Sequence, residues 1–124
     1  MKLKLHQIYR AKPVFDKLAN QDMPAKIAYR LSRTAKILGE QFQEIEQQRM
    51  RLVKKYGEET NGQLKVKDEN TNAFGQELLA LLEEDTEVDL QTFSLDTLPE
   101  ETKLTPNEVN IIDFLIASQE ILSS

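Results

Sequence analysis

Between Met23 and Tyr56 the chain carries one apolar stripe, in which Ile27, Leu31, Ala35, Leu38, Phe42, Ile45, Leu52 and Tyr56 recur at helical spacing with Arg49 as the one polar interruption. A helix of about 34 residues rises about 1.5 Å per residue and reaches roughly 50 Å. That is more than a 124-residue chain can cover end to end, so part of the rod is expected to protrude or to meet a partner. Asp22 is suited to cap its start and Pro24 to sit in its first turn. Lys54 and Lys55 complement the helix dipole at the other end, where Gly57 suits a left-handed C-cap. Gly39, in mid-helix, is a candidate bend or close-packing site.

The remaining signals arrange themselves around this rod. "KLKL" places Leu3 and Leu5 on one face of a short strand over 2–5. "HQIYRAKPVFDKLANQ" reads as a short helix with Val14, Phe15 and Leu18 inward and Pro13 opening or kinking it. An Asn61-Gly62 turn precedes an alternating strand over 63–67. Phe74, Leu78, Leu81 and Leu82 mark a helix over about 70–84 whose end carries Glu83, Glu84 and Asp85 against its own dipole. Val88 and Leu90, then Phe93 and Leu95 one step out of phase, predict a strand over 87–95 with a bulge at Gln91 or Thr92. Thr105, Pro106 and Glu108 form a capping box that opens a helix over 105–122, apolar on most of its circumference. The expected architecture is an α+β fold, mostly helical, in a single domain over 1–124. A small two- or three-stranded sheet is expected from 2–5, 63–67 and 87–95, with the long helix packed against helix 105–122.

Chemistry-bearing constellations are sparse. The chain has no cysteine, which excludes disulfides, thiolate metal sites and cysteine nucleophiles, and His6 is its only histidine. The four glycines never recur at phosphate-loop spacing. Asp85, Glu87 and Asp89 could share a strand face and attract a hard cation, and "EETK", ending at Lys103, imitates part of a metal-dependent nuclease signature. Both patterns read more simply as solvated polar residues. The chain is therefore expected to be no enzyme and to need no metal or cofactor. Neither a secretory leader nor an 18-residue apolar run is present, so no membrane role is expected.

Charge is more informative. Residues 1–36 hold nine Lys or Arg and two acids, whereas residues 37–124 hold seven and nineteen. Such polarity suits an anionic partner for the basic end or contact with another copy, unless folding interleaves the two regions and neutralises both. Within "PAKIAYRLSRTAK", residues 24–36, Lys26, Arg30, Arg33 and Lys36 fall on an arc of about 120° opposite Ile27, Leu31, Ala35 and Leu38. This basic ridge is either the wet side of an ordinary amphipathic helix or a contact for an anion or nucleic acid. Arg10, Lys12 and Lys17 would strengthen the second reading if they converged on it.

The order "KLKL", "LANQDMPAKIAYRLSR", "LVKKYGEE", "NGQLKV" and "FGQELLALLEEDTEVDL" over about residues 1–95 resembles small uncharacterised proteins of tailed bacteriophages and prophages. The resemblance implies a phage context, in the host cytoplasm or associated with the virion, and assigns no role to particular residues. The leading expectation is a non-enzymatic interaction protein acting in virion or complex assembly through a protein partner or homo-oligomer. Its contacts would be Leu38, Phe42, Ile45 and Leu52 of the long helix with Ile112, Leu115 and Ile116 of the last one. The alternatives are a regulatory or anti-defence protein that binds a host protein, and a nucleic-acid binder using Lys26, Arg30, Arg33 and Lys36.

Overall fold

In the computed structural model, which describes residues 1–117, a short strand β1 (Lys2–Lys4) passes directly into helix α1 (Leu5–Ala19). The Lys4 amide donates to Gln7 Oε1 at 2.9 Å, so one free donor at the helix start is satisfied locally. Ile8, Ala11, Phe15 and Leu18 recur at spacings of three and four and are wholly buried. Pro13 lies inside the continuous helix on its exposed side. Its missing amide withholds one helical hydrogen bond from the Tyr9 carbonyl a turn earlier.

Helix α2 (Ala25–Tyr56) runs unbroken and starts two residues later than the stripe suggests, with Pro24 at the cap and no side-chain bond from Asp22. It packs antiparallel on α1, where Tyr9 stacks on Phe42 with ring centroids 4.9 Å apart. Gly39 is a close-packing site within the uninterrupted helix, since a Cβ there would lie 3.3 Å from the Lys12 side chain. Leu31, Leu38 and Ile45 enter one core with the α1 stripe.

The far end of α2 does not protrude uncovered. Gly57 takes an extended conformation (φ −102°, ψ 174°) in place of the expected left-handed cap, and the chain folds straight back as β2 (Gly57–Thr60) and β3 (Gln63–Val66). The turn between them has two consecutive residues at positive φ, Asn61 (53°) and Gly62 (77°), which matches the right-handed twist of a hairpin. The Lys67 amide and Asn70 Nδ2 then donate to the Tyr56 carbonyl at 3.2 and 3.0 Å. Helix α3 (Thr71–Leu82) follows along α2, with Lys55 Nζ 3.1 Å from Glu77.

β4 (Asp85–Glu87) pairs antiparallel with β1, Leu3 facing Thr86. The expected single sheet is therefore two separate two-stranded sheets, and residues 63–67 pair with their own hairpin neighbour. The expected strand over 87–95 is also shorter. β1 has no residues left to continue the ladder beyond the bond from Val88 N to Met1 O, so the chain leaves the sheet there without a bulge. Val88 and Leu90 still bury their side chains, and Phe93 makes an isolated parallel bridge with Ile116.

The capping box forms as expected: the Glu108 amide donates to Thr105 Oγ1 at 3.1 Å, and the Thr105 amide to Glu108 Oε1 at 2.9 Å. The helix it opens, α4 (Pro106–Ile111), is however only six residues long. Ile112 leaves helical geometry, a 3-10 turn follows over Asp113–Leu115, and Ile116 is extended. This arrangement seats both Ile112 and Leu115 in the core and leaves Ile116 to bridge Phe93. The rest of the expected helix, 118–122, lies outside the described residues. α4 packs on α1 and not on α2, so α1 is the central element, covered by α2 on one side and α4 on another.

Candidate functional site

Folding decides which of the amino-terminal cations remain free. Lys2 and Lys4 cross the β1–β4 sheet to Asp85 and Glu83 at 3.5–3.7 Å, and Lys4 Nζ also donates to the Glu83 carbonyl at 3.2 Å. Two of the three acids at the end of α3, Glu83 and Asp85, are thereby compensated. Lys12 pairs with Asp16 on α1, and Lys17 holds Glu108 at 2.7 Å. Interleaving thus neutralises these four bases. Lys26, Arg30, Arg33 and Lys36 are all exposed, and none forms an ion pair among the described residues.

The ridge lies on the first three turns of α2, about 15 Å from Lys26 to Lys36 along the axis. No acid occupies the first turn and Pro24 supplies no side-chain acceptor. The positive end of the helix dipole therefore adds to the ridge with no acid in the helix's first turn to oppose it. Lys26, Arg30 and Arg33 line one wall of a groove of about 570 Å³ whose far wall is formed by Asp89 and Gln91, just beyond β4. Lys36 sits outside this groove, and Glu40, exposed on the same face one turn later, ends the basic run. Tyr29 stands among the cations with 63% of its surface exposed, and the Arg33 guanidinium lies 5.9 Å from its ring centroid. That contact is within cation–π range.

Arg10, Lys12 and Lys17 do not join this surface. Arg10 lines a different, smaller groove with His6, Asn107 and Asn110, while Lys12 and Lys17 are held in their ion pairs. The apolar contact set is likewise redistributed. Leu38, Ile45, Ile112 and Leu115 are buried in the chain's own core, Ile116 packs partly against it, and Phe42 is spent on Tyr9. Leu52 reaches a surface trough beside Ala80 and Leu81, and the edge of Phe42 lines another beside Met50.

The interruption at Arg49 has a structural explanation that the stripe alone did not reveal. Arg49 donates twice to Glu46, at 2.9 and 3.0 Å, and Tyr9 OH donates to Glu46 Oε1 at 2.5 Å. The Arg49 hydrogen bond, then that of Tyr9, holds the Glu46 carboxyl below its ordinary pKa. The same bond to Glu46 raises the Tyr9 phenol, with burial adding to it. This cluster ties α1 to α2 and uses up its own charges. The spacing Glu46 to Arg49, i to i+3, was its only sequence signal.

Of the acidic patterns, Asp85 is engaged by Lys2 and Lys4, and Asp89 faces the ridge groove. Among the described residues, no three His, Cys, Asp or Glu gather as a metal site. Lys103 sits in a loop tied to Gln21 by two bonds of 2.9 and 3.0 Å, with no strand beside it. Among the described residues, no helix is long and apolar enough to cross a membrane. No protein-family model matches the chain, and no curated protein or solved structure resembles it closely enough to count as a match.

Proposed function

We propose that the chain is a non-enzymatic binding protein that docks nucleic acid along the basic ridge of α2. The observation that carries this reading is selective neutralisation. Lys2, Lys4, Lys12 and Lys17 find carboxylates within the fold, whereas Lys26, Arg30, Arg33 and Lys36 converge on one face and find none among the described residues. Leaving four cations side by side costs mutual repulsion, which the phosphates of a nucleic-acid backbone relieve, and release of the counterions condensed on that backbone favours the contact further. In the phage setting that the sequence resemblance implies, the target would be viral or host nucleic acid.

Fluorescence anisotropy with a labelled oligonucleotide tests this. Wild-type protein is expected to bind at 50 mM salt, with affinity falling as salt rises at a log–log slope of about −3 for four phosphate contacts to a single strand. The K26A/R30A/R33A variant is expected to lose binding while keeping its circular dichroism spectrum. Absence of wild-type binding at low salt would refute the proposal.

A second reading, assembly through protein contacts, keeps one supporting observation. Leu79 of α3 is 66% exposed, on the helix that also supplies Ala80 and Leu81 to the Leu52 trough. Light scattering at high concentration is its test: an oligomer broken by Leu79→Lys supports it, and a strict monomer counts against it.

A further inference from the structure

We propose that the groove beside the ridge takes an unpaired base, so that the ligand of α2 is single-stranded nucleic acid with one base stacked on Tyr29. This rests on the nucleic-acid reading and specifies the form of its ligand. A ridge that contacted only the backbone of a duplex would need nothing beyond its cations. Here an aromatic ring stands 63% exposed in the midst of them, where water contact with its faces is unfavourable unless a partner covers it. Arg33, 5.9 Å from that ring, leaves the guanidinium near both a stacked base and the phosphate that follows it.

The far wall supplies what a backbone does not require. Asp89 and Gln91 face the cations across the groove, and both are exposed. A carboxylate opposite a cationic ridge repels phosphate, so its useful partner is the amino edge of a base, and the Gln91 amide can donate and accept beside it. The volume of about 570 Å³ is ample for one base and its sugar. Lys26 and Arg30 on the helix would then hold the flanking phosphates. Positive wall, aromatic platform and acceptor wall together describe recognition of a splayed base in single-stranded DNA or RNA.

The test compares five probes matched in total charge on the full chain: a single-stranded oligonucleotide, as DNA and as RNA, the same strand with abasic sites, a duplex of half its length, inorganic polyphosphate, and polyglutamate. Tyr29→Leu and Tyr29→Phe are compared with wild type and with K26A/R30A/R33A. The proposal expects the base-bearing single strand to bind tightest. Tyr29→Leu should weaken that binding roughly 5- to 150-fold, Tyr29→Phe should retain it, and polyphosphate retention should be unchanged in both. Asp89→Asn should narrow the preference for amino-bearing bases. Equal binding of abasic and base-bearing strands, or indifference to Tyr29→Leu, overturns the stacking site while the ridge reading survives through the triple variant. Failure of every probe on wild-type protein overturns both, as does equal binding of polyglutamate, which would make the ridge a contact for acidic protein.

Discussion

Replacing Gly57 by alanine isolates a single steric term at the point where α2 turns into the hairpin. Its backbone (φ −102°, ψ 174°) is open to any residue, so no conformational penalty is involved. A Cβ there would however lie 2.4 Å from the Val53 carbonyl oxygen and 2.7 Å from that of Lys65. Both are backbone atoms, held by the last turn of α2 and by β3, so neither can swing aside. Overpacking of this kind costs about 1–3 kcal/mol or more, against a gain of about 0.4–1 kcal/mol from stiffening the unfolded chain. With two hard contacts a net loss of about 2–3 kcal/mol is expected, or roughly 8–12 °C in melting temperature for a chain of this size. Gly75, inside α3 with nothing within 4 Å of its would-be Cβ, is the matched control. Gly75→Ala should stabilise by about 0.5–1 kcal/mol through helix propensity. Urea denaturation followed by circular dichroism reads both. A Gly57→Ala protein as stable as wild type would refute the steric argument and the hairpin junction with it.

Three further outcomes follow from the polar contacts. Tyr9→Phe keeps the ring stack on Phe42 but removes the donor to Glu46, and should cost about 1–2 kcal/mol in urea denaturation. Because Glu46 titrates below its ordinary value of 4.5, its contribution is complete above that pH and is lost as pH falls through the lowered folded value. The stability gap between wild type and Glu46→Gln should therefore be largest near neutral pH and shrink below about pH 4.5; a gap that ignores pH would contradict the cluster. Thr105→Ala removes one half of the α4 capping box and should cost about 1 kcal/mol, with faster amide exchange at Glu108 as its local signature.

What could be read from the sequence was what local energetics decide. The stripe from Ile27 to Tyr56, the Thr105–Glu108 box and the Asn61-Gly62 turn each act within a few residues, and each stands where expected. The α+β, mostly helical class followed from them. Pairing partners were not legible, because they depend on contacts far apart in the chain. β2, "GEET", has no apolar alternation and is defined only by the strand it meets, and β4 ends where β1 runs out. The central place of α1 was hidden for a related reason. Its stripe is short, and what makes it central is that α2, α3 and α4 all pack on it. Apolar surface assigned to a partner was consumed at home once α1 claimed Leu38 and Ile45. The ridge positions could be placed on one face from spacing alone. Which cations would be neutralised, and that Asp89 and Gln91 would close the opposite wall, depended on the β1–β4 pairing.

The most direct measurement is a backbone amide chemical-shift map of the full chain titrated with a single-stranded oligonucleotide at low salt. Saturable shifts are expected at 25–37 and at 89–91, the two walls of the groove, with α3 and the hairpin unmoved. Shifts centred on α3, or spectra unchanged at millimolar oligonucleotide, would contradict the assignment of α2 as the binding face.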